Sequence, residues 1–204
     1  MNLIINDVDH PLVIKVASIQ SARMQIYFID NEDYFQRKYI ATDEDGHFFE
    51  DNDERTIFFT RGVFETVKKL RWPPDLIFCQ GWFASLIPLF LRKVYSEDPM
   101  FSKAKIIYST SDDEFKGSFD KNYSRKLISE NITQEDVEKL TDPTYINITK
   151  LAFDHSDGVI LNTPNIPSEL RQYADTSGKP HIEYTNKKEY VSQYAAFFDK
   201  IIGV

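Results

Sequence analysis

The stretch Leu70-Arg71-Trp72-Pro73-Pro74-Asp75-Leu76-Ile77-Phe78-Cys79-Gln80-Gly81-Trp82, continuing to Leu91, decides how the chain is read. Pro73 and Pro74 end a preceding helix, because proline lacks an N–H and biases the residue before it away from helix. Asp75–Cys79 is a short apolar run, the pattern of a strand covered on both faces. Gln80-Gly81 then stands at the strand's carboxyl end, where open α/β sheets bind their ligands. Trp82–Tyr95 reads as a helix that is apolar nearly all round. Pro88 removes one of its hydrogen bonds, which predicts a kink or a late helix start.

Downstream, strands are predicted at Lys105–Ser109, Gly158–Asn162 and His181–Tyr184. Helices are predicted at Phe119–Glu130, Tyr145–His155, Pro167–Tyr173 and Lys187–Ile202. Thr133 and Asp136 resemble a capping box opening a short helix to Leu140. Helix and strand alternate at about 25–30 residues per unit, the pattern of a Rossmann-like, doubly wound, mostly parallel sheet. The fold class is therefore α/β. Upstream, Leu3–Ile5 and Leu12–Ala17 are β-rich, and residues 7–11 carry turn chemistry, which predicts an N-terminal β-hairpin. Met24–Ile29 is a further strand, and residues 34–54 read as an irregular loop. A helix capped by Asn52 or Asp53 follows, with Phe59, Val63, Val67 and Leu70 as its apolar stripe. No repeat or linker divides the chain, so residues 1–204 read as one domain.

The net charge of −8 over 204 residues argues against a nucleic-acid or anionic-membrane partner. Acidic residues gather at Asp43–Glu54 and Asp112–Glu114 and read as solvated loops. No stretch approaches the ~18 apolar residues of a membrane span. The single cysteine, Cys79, rules out a disulfide within the chain and fits a reducing cytoplasm. In its apolar strand it reads as a small buried hydrophobe. The four histidines have no metal-like spacing, and no Gly-rich phosphate loop is present, so neither a metal nor a bound cofactor is expected.

Gln80-Gly81-Trp82 is the strongest local candidate for chemistry. The Gln80 amide can donate and accept hydrogen bonds, and so hold a sugar hydroxyl, but it cannot serve as a general base near neutral pH. Trp82 offers a face for stacking on a sugar ring. The alternative is a tight strand–helix turn with a tryptophan in the core.

Several segments resemble bacterial glycogen synthases and plant starch synthases. Asp51-Asn52-Asp53-Glu54-Arg55 through Arg61 is similar to that family's Asp-Asn-x-Glu-Arg-Phe segment. Trp72–Ile77 resembles its Trp-x-Pro-Asp-Val-Val, and Trp82–Leu91 its Trp-His-x-x-Leu-x-Pro-x-Tyr-Leu. Tyr27–Asp30 with Tyr34-Phe35, and Asn147–Lys150 with Asp154–Ile160, resemble further blocks in the same order. The likeness runs over about residues 20–175 and rests on that order. It implies one half of a GT-B glycosyltransferase, the acceptor-side N-terminal domain. The family moves glucose from ADP-glucose or UDP-glucose to an α-1,4-glucan without a metal.

The departures are as informative. The family's opening strand with its Lys-x-Gly-Gly loop, and its C-terminal nucleotide-binding domain, have no counterpart in these residues. Its His-x-His-Asp-Trp-His is replaced by Phe78–Phe83, so that the active-site histidine falls on Gln80, its aspartate neighbour on Gly81 and the later histidine on Phe83. The His-Asn-x-x-x-Gln-Gly loop becomes Ser111–Gly117. The resemblance thus implies a glycosyltransferase domain inactive by itself, with no catalytic residue assigned and a substrate-binding surface at Gln80, Gly81, Trp82, Lys116 and Gly117. The alternative is a non-catalytic module for α-glucan or for a partner. Lacking the first strand–helix unit, the sheet is expected to have an open edge. The hairpin over residues 3–17 and helix 187–202 would cover it, or a homodimer or a complementary domain would.

Overall fold

The computed structural model describes residues 1–129, 131–184 and 189–204. Two antiparallel hairpins come first: β1 (Asn2–Ile5) with β2 (Val8–Pro11), and β3 (Val13–Ile19) with β4 (Met24–Asp30). The expected turn at residues 7–11 is corrected here, since residues 8–11 are a strand. The reversal needs only Asn6 and Asp7, both at positive φ (50° and 62°), as a two-residue hairpin turn of the primed type requires.

After a single helical turn, α1 (Glu32–Phe35), a loop leads to α2 (Asn52–Leu70). The expected cap and stripe of α2 are both revised. Asp51 holds the cap position without a side-chain capping bond, while Asn52 and Asp53 lie inside the helix and are buried. The deepest positions are Asn52, Asp53, Thr56, Ile57, Phe58, Thr60 and Phe64. Phe59, Val63 and Val67 are only partly buried, and Leu70 is exposed. Asp53 and Thr56 reach the interior paired. Lys126 Nζ lies 2.7 Å from Asp53 Oδ2 and 2.8 Å from Glu54 Oε1. Tyr34 donates to Glu54 (3.1 Å), and the Thr56 and Tyr123 hydroxyls meet at 2.8 Å. Of the acidic stretch Asp43–Glu54, the loop residues Glu44, Asp45 and Glu50 are exposed as expected, while Asp53 is drawn into the interior by its distant partner Lys126.

Four parallel strands form the main sheet: β5 (Leu76–Gln80), β6 (Lys105–Ser109), β7 (Gly158–Leu161) and β8 (His181–Glu183), side by side in chain order. Between β5 and β6 lies α3 (Ile87–Lys93), entered from a 3₁₀ turn at Trp82–Ala84. Pro88 sits in the first turn of α3, so the late start is the outcome. The helix foreseen over Phe119–Glu130 shrinks to α4 (Tyr123–Leu127), and Glu130 lies outside the described residues. The Thr133–Asp136 bonds form reciprocally, yet a 3₁₀ turn at Glu138–Thr141 follows them. Next come α5 (Tyr145–Asp154), α6 (Ser168–Thr176) and α7 (Tyr190–Ile202). The start foreseen for the last helix, Lys187 and Lys188, lies outside the described residues.

Helices lie on both faces of the sheet. Ile106, Tyr108, Val159 and Leu161 join the main core with α2, α3 and α5, while the alternate residues Ile107 and Ile160 meet Phe197 of α7. The expectation of full cover for β5 fails on one side. It is an edge strand, and Phe78 is 39% exposed although its ring touches Phe198 at 5.3 Å. No helix among the described residues is long and apolar enough to cross a membrane.

Candidate functional site

The carboxyl end of β5 is built around Gly81. Its N–H donates to Ser109 O at 3.0 Å, extending the ladder to β6 by one residue. Its φ of +76° and ψ of 168° then turn the chain into the 3₁₀ turn, a backbone region open to glycine alone. A Cβ built here would lie 2.3 Å from Asp113 Oδ2. That carboxylate oxygen accepts the Trp82 N–H at 3.0 Å. Glycine therefore makes room for a carboxylate that arrives from the loop after β6. Burial raises the Asp113 pKa above the usual carboxylate range, against the lowering effect of the Trp82 bond. Its Oδ1 is buried without a hydrogen-bond partner among the described residues.

The five residues singled out in the sequence divide between surface and core. Gln80 is exposed, opposite Ser109 in the sheet register. Lys116 and Gly117 are exposed on the loop that Asp113 ties to Trp82 N–H, and Gly117 holds φ +92° with open space around it. Gly81 is buried in the turn. Trp82 is 3% exposed and enclosed by Phe48, Phe83, Phe115 and Phe119, with ring centroids 4.7–6.1 Å away. In this arrangement its face is spent on packing, the second of the two readings given above. Phe115 stacks on Phe48 and Phe119, so the loop of residues 111–118 is pinned at Asp113 and again at Phe115.

A second surface adjoins the turn through Phe83. An open cavity of about 330 Å³ is lined by Tyr27 and Phe28 of β4, by Phe35, Tyr39 and Phe59, and by Phe83. Phe28 and Tyr39 are 51% and 41% exposed. Behind them Arg55 is buried, its guanidinium 5.3 Å from the Phe83 centroid and 5.6 Å from that of Phe35. Burial, then the nearby Arg37, brings its pKa down to about 10, so it is still a cation at neutral pH. It donates to Tyr34 O at 2.8 Å and is a fixed strut under the groove. Such an aromatic floor with polar edges suits a flat ligand whose C–H faces are apolar and whose rim carries hydroxyls, as in a pyranose. None of Phe28, Tyr39 and Phe59 was singled out as a site residue. The visible signal was the density of aromatics between Tyr27 and Phe59, which only the fold gathers into one wall.

Two carboxylate–imidazole groups come together elsewhere, at Asp43, Asp45 and His47 and at Asp175, His181 and Glu183. In the first, Asp43 Oδ1 already accepts the N–H groups of Asp45 and His47 at 2.9 and 2.8 Å. In the second, Glu183 is paired with Arg171.

Comparison with known proteins agrees with this picture. Residues 3–182 match the family described as starch synthase catalytic domain. A glycogen synthase of Chlorobium phaeobacteroides is 35% identical over 166 residues, which is 81% of this chain and 32% of the relative. One from Photobacterium profundum is 30% identical over 165 residues, 80% of this chain and 32% of its own length. The chain thus spans about a third of the length of the curated relatives it matches. Among solved structures, the catalytic domain of starch synthase IV from Arabidopsis thaliana, bound to ADP and acarbose, superposes with a TM-score of 0.66 at 16% identity. That superposition covers 91% of this chain and 39% of the other, and likeness at that identity speaks for the fold.

Proposed function

The chain belongs to the starch synthase catalytic-domain family, and from that premise we propose that it is the acceptor-side half of a glucosyltransferase in glycogen or starch synthesis. It holds an α-1,4-glucan, to which a glucosyl group passes from a nucleotide-glucose, ADP-glucose or UDP-glucose. These 204 residues by themselves bind glucan without transferring glucose. The observation that carries the reading is the aromatic groove, whose wall reaches the 3₁₀ turn after Gly81 at Phe83, next to the buried Trp82. A glucan lying in the groove would set its rings on Phe28 and Tyr39, with the Gln80 amide in reach of the strand-end rim.

The absence of turnover is argued from residue chemistry. Gln80 cannot titrate, and neither Gly81 nor Phe83 can hydrogen-bond a reacting sugar through its side chain. A lost transition-state hydrogen bond of that kind costs about 3–4 kcal/mol.

Two measurements test the proposal. Radiolabelled ADP-glucose or UDP-glucose incubated with glycogen and the purified chain is expected to give no incorporation above a blank without protein; incorporation overturns the inactive half of the reading. Maltooligosaccharide titrated into labelled protein is expected to shift the amide resonances of Phe28, Tyr39 and Gln80. Unmoved spectra up to millimolar sugar overturn the binding half.

A further inference from the structure

The carboxylate–imidazole group at α6 and β8 is one that the glucan reading leaves unused. Arg171 and Asp175 stand one turn apart on one face of α6, and His181 and Glu183 stand two residues apart on one face of β8. The two faces meet. Asp175 Oδ1 lies 3.2 Å from His181 Nε2, and Arg171 pairs with Glu183 Oε2. One donor atom from each of Asp175, His181 and Glu183 falls within 4.8 Å of the other two. On the far side of the ring, His181 Nδ1 lies 3.3 Å from Lys179 O. A carbonyl oxygen can only accept, so the ring proton is on Nδ1, and the neutral ring keeps a lone pair on Nε2. That lone pair faces the Asp175 carboxylate, which is an acceptor as well. Two acceptors 3.2 Å apart repel each other unless a cation stands between them.

We propose that Asp175, His181 and Glu183 bind one divalent cation of the zinc class, which ties the last turn of α6 to β8. Spacing supports this choice. A tetrahedral ion of this kind sits about 2.0–2.1 Å from an imidazole nitrogen or a carboxylate oxygen, so two donors that share it stand about 3.3 Å apart. The 3.2 Å between Nε2 and Oδ1 is such a separation. Glu183 adds the oxygen that Arg171 does not hold, brought in by a turn of its side chain, and water takes the fourth position. The supports are those of a metal ligand. A backbone carbonyl on Nδ1 fixes the ring and its tautomer, and the guanidinium of Arg171 steadies the ligating carboxylate of Glu183. Charge agrees, since with the ring neutral two carboxylates outnumber one guanidinium. The imidazole selects the class of ion, because magnesium and calcium take oxygen ligands. The side chains of Asp175 and Glu183 are 57% and 44% exposed, which leaves the ion a path from solvent. Spacing among the histidines carries no trace of this set, because its other two members are carboxylates.

The test is a calorimetric titration of Zn²⁺ into the chelator-treated chain. One ion per chain is expected, bound at least about tenfold more tightly than Mg²⁺. His181→Ala and Asp175→Asn are each expected to weaken Zn²⁺ by about tenfold or more. His47→Ala, in the separate group with Asp43 and Asp45, is expected to leave binding unchanged. Zn²⁺ should also raise the melting midpoint of the wild-type chain and not that of Asp175→Asn, because an ion held only by the folded state stabilises it. Asp175→Asn changes an exposed side chain, so it keeps the test decisive if His181→Ala fails to fold. No Zn²⁺ bound up to millimolar ion overturns the proposal and leaves the 3.2 Å contact to a protonated ring paired with Asp175. Mg²⁺ bound as tightly as Zn²⁺ overturns it too, as does Zn²⁺ affinity that is unchanged in Asp175→Asn or lost in His47→Ala.

Discussion

Replacing Gly81 by alanine tests how the strand-end turn is held. At φ +76° and ψ 168° a side chain introduces strain, about 1–3 kcal/mol for a residue forced into this region. The new methyl carbon would also stand 2.3 Å from Asp113 Oδ2. The carboxylate is the end of a side chain and can swing away, but only by giving up the 3.0 Å bond from Trp82 N–H. A hydrogen bond to a charged group contributes about 1.5–3 kcal/mol. Together the two effects cost about 2.5–6 kcal/mol, a large part of the about 5–15 kcal/mol that holds a typical domain. Urea unfolding followed by circular dichroism measures the loss, with an unchanged m-value confirming that only stability moved. Asp113→Ala forfeits the hydrogen bond without the strain. In the double variant the collision is gone and the bond is lost once, so its cost should fall short of the sum by about 1.5–3 kcal/mol. A Gly81→Ala chain within about 1 kcal/mol of wild type, or an additive cycle, refutes the account of a glycine that yields its space to Asp113.

Lys126→Met leaves the Asp53 carboxylate, 0% exposed, without its cation, and should cost about 3–5 kcal/mol in the same unfolding experiment. Cys79 is buried and its thiol is pushed well above the ordinary range, so a thiol reagent should modify it only after denaturant is added. Asp113 titrates with a definite sign. Burial raises its folded pKa above the ordinary 3.8, so the folded chain keeps a proton that the unfolded chain has released. Stability therefore falls as pH rises from 3.8 through the raised value, and the penalty persists at neutral pH. Asp113→Asn lacks this titration. Measured at neutral pH and again near 3.8, the wild type should gain on the variant at the lower pH.

The parallel sheet was legible because buried strands leave continuous apolar runs, such as Ile106–Tyr108 and Val159–Leu161, and glycine or proline marks their ends. β2 was not legible. Val8-Asp9-His10-Pro11 has the composition of a turn, and it is a strand because β1 pairs with it and because the His10 ring lies 3.0 Å from the Tyr34 hydroxyl. The buried face of α2 escaped for a similar reason. A helical stripe is sought among apolar residues, whereas Asp53 is buried by a lysine 73 positions away. At the site, the position of Gln80-Gly81 followed from the strand's direction. The carboxylate that completes the turn did not, because Asp113 comes from a loop 31 residues beyond Trp82 and reads locally as one more solvated acid. Trp82 shows the limit from the other side. Its neighbours Phe48, Phe115 and Phe119 are scattered in the chain, and only their convergence encloses it.

The aromatic groove has one wall on the β3–β4 hairpin and the other on the main body. That hairpin is mostly exposed and rests on α2, where Gly62 lets Ile29 and Leu12 come close; a Cβ there would meet them at 2.8 and 3.2 Å. A lone two-stranded ribbon is marginal in water, so this one behaves as a cooperative unit with its own small opening free energy, far below that of β6 and β7. Amide hydrogen exchange should divide accordingly, fast in β3–β4 and slow in the sheet. A saccharide that grips Tyr27 and Phe28 on one side and Phe83 on the other ties the two units together. Its imprint would then be slowed exchange in the hairpin with none in β6 or β7, so that the outer foldon reports on the sugar.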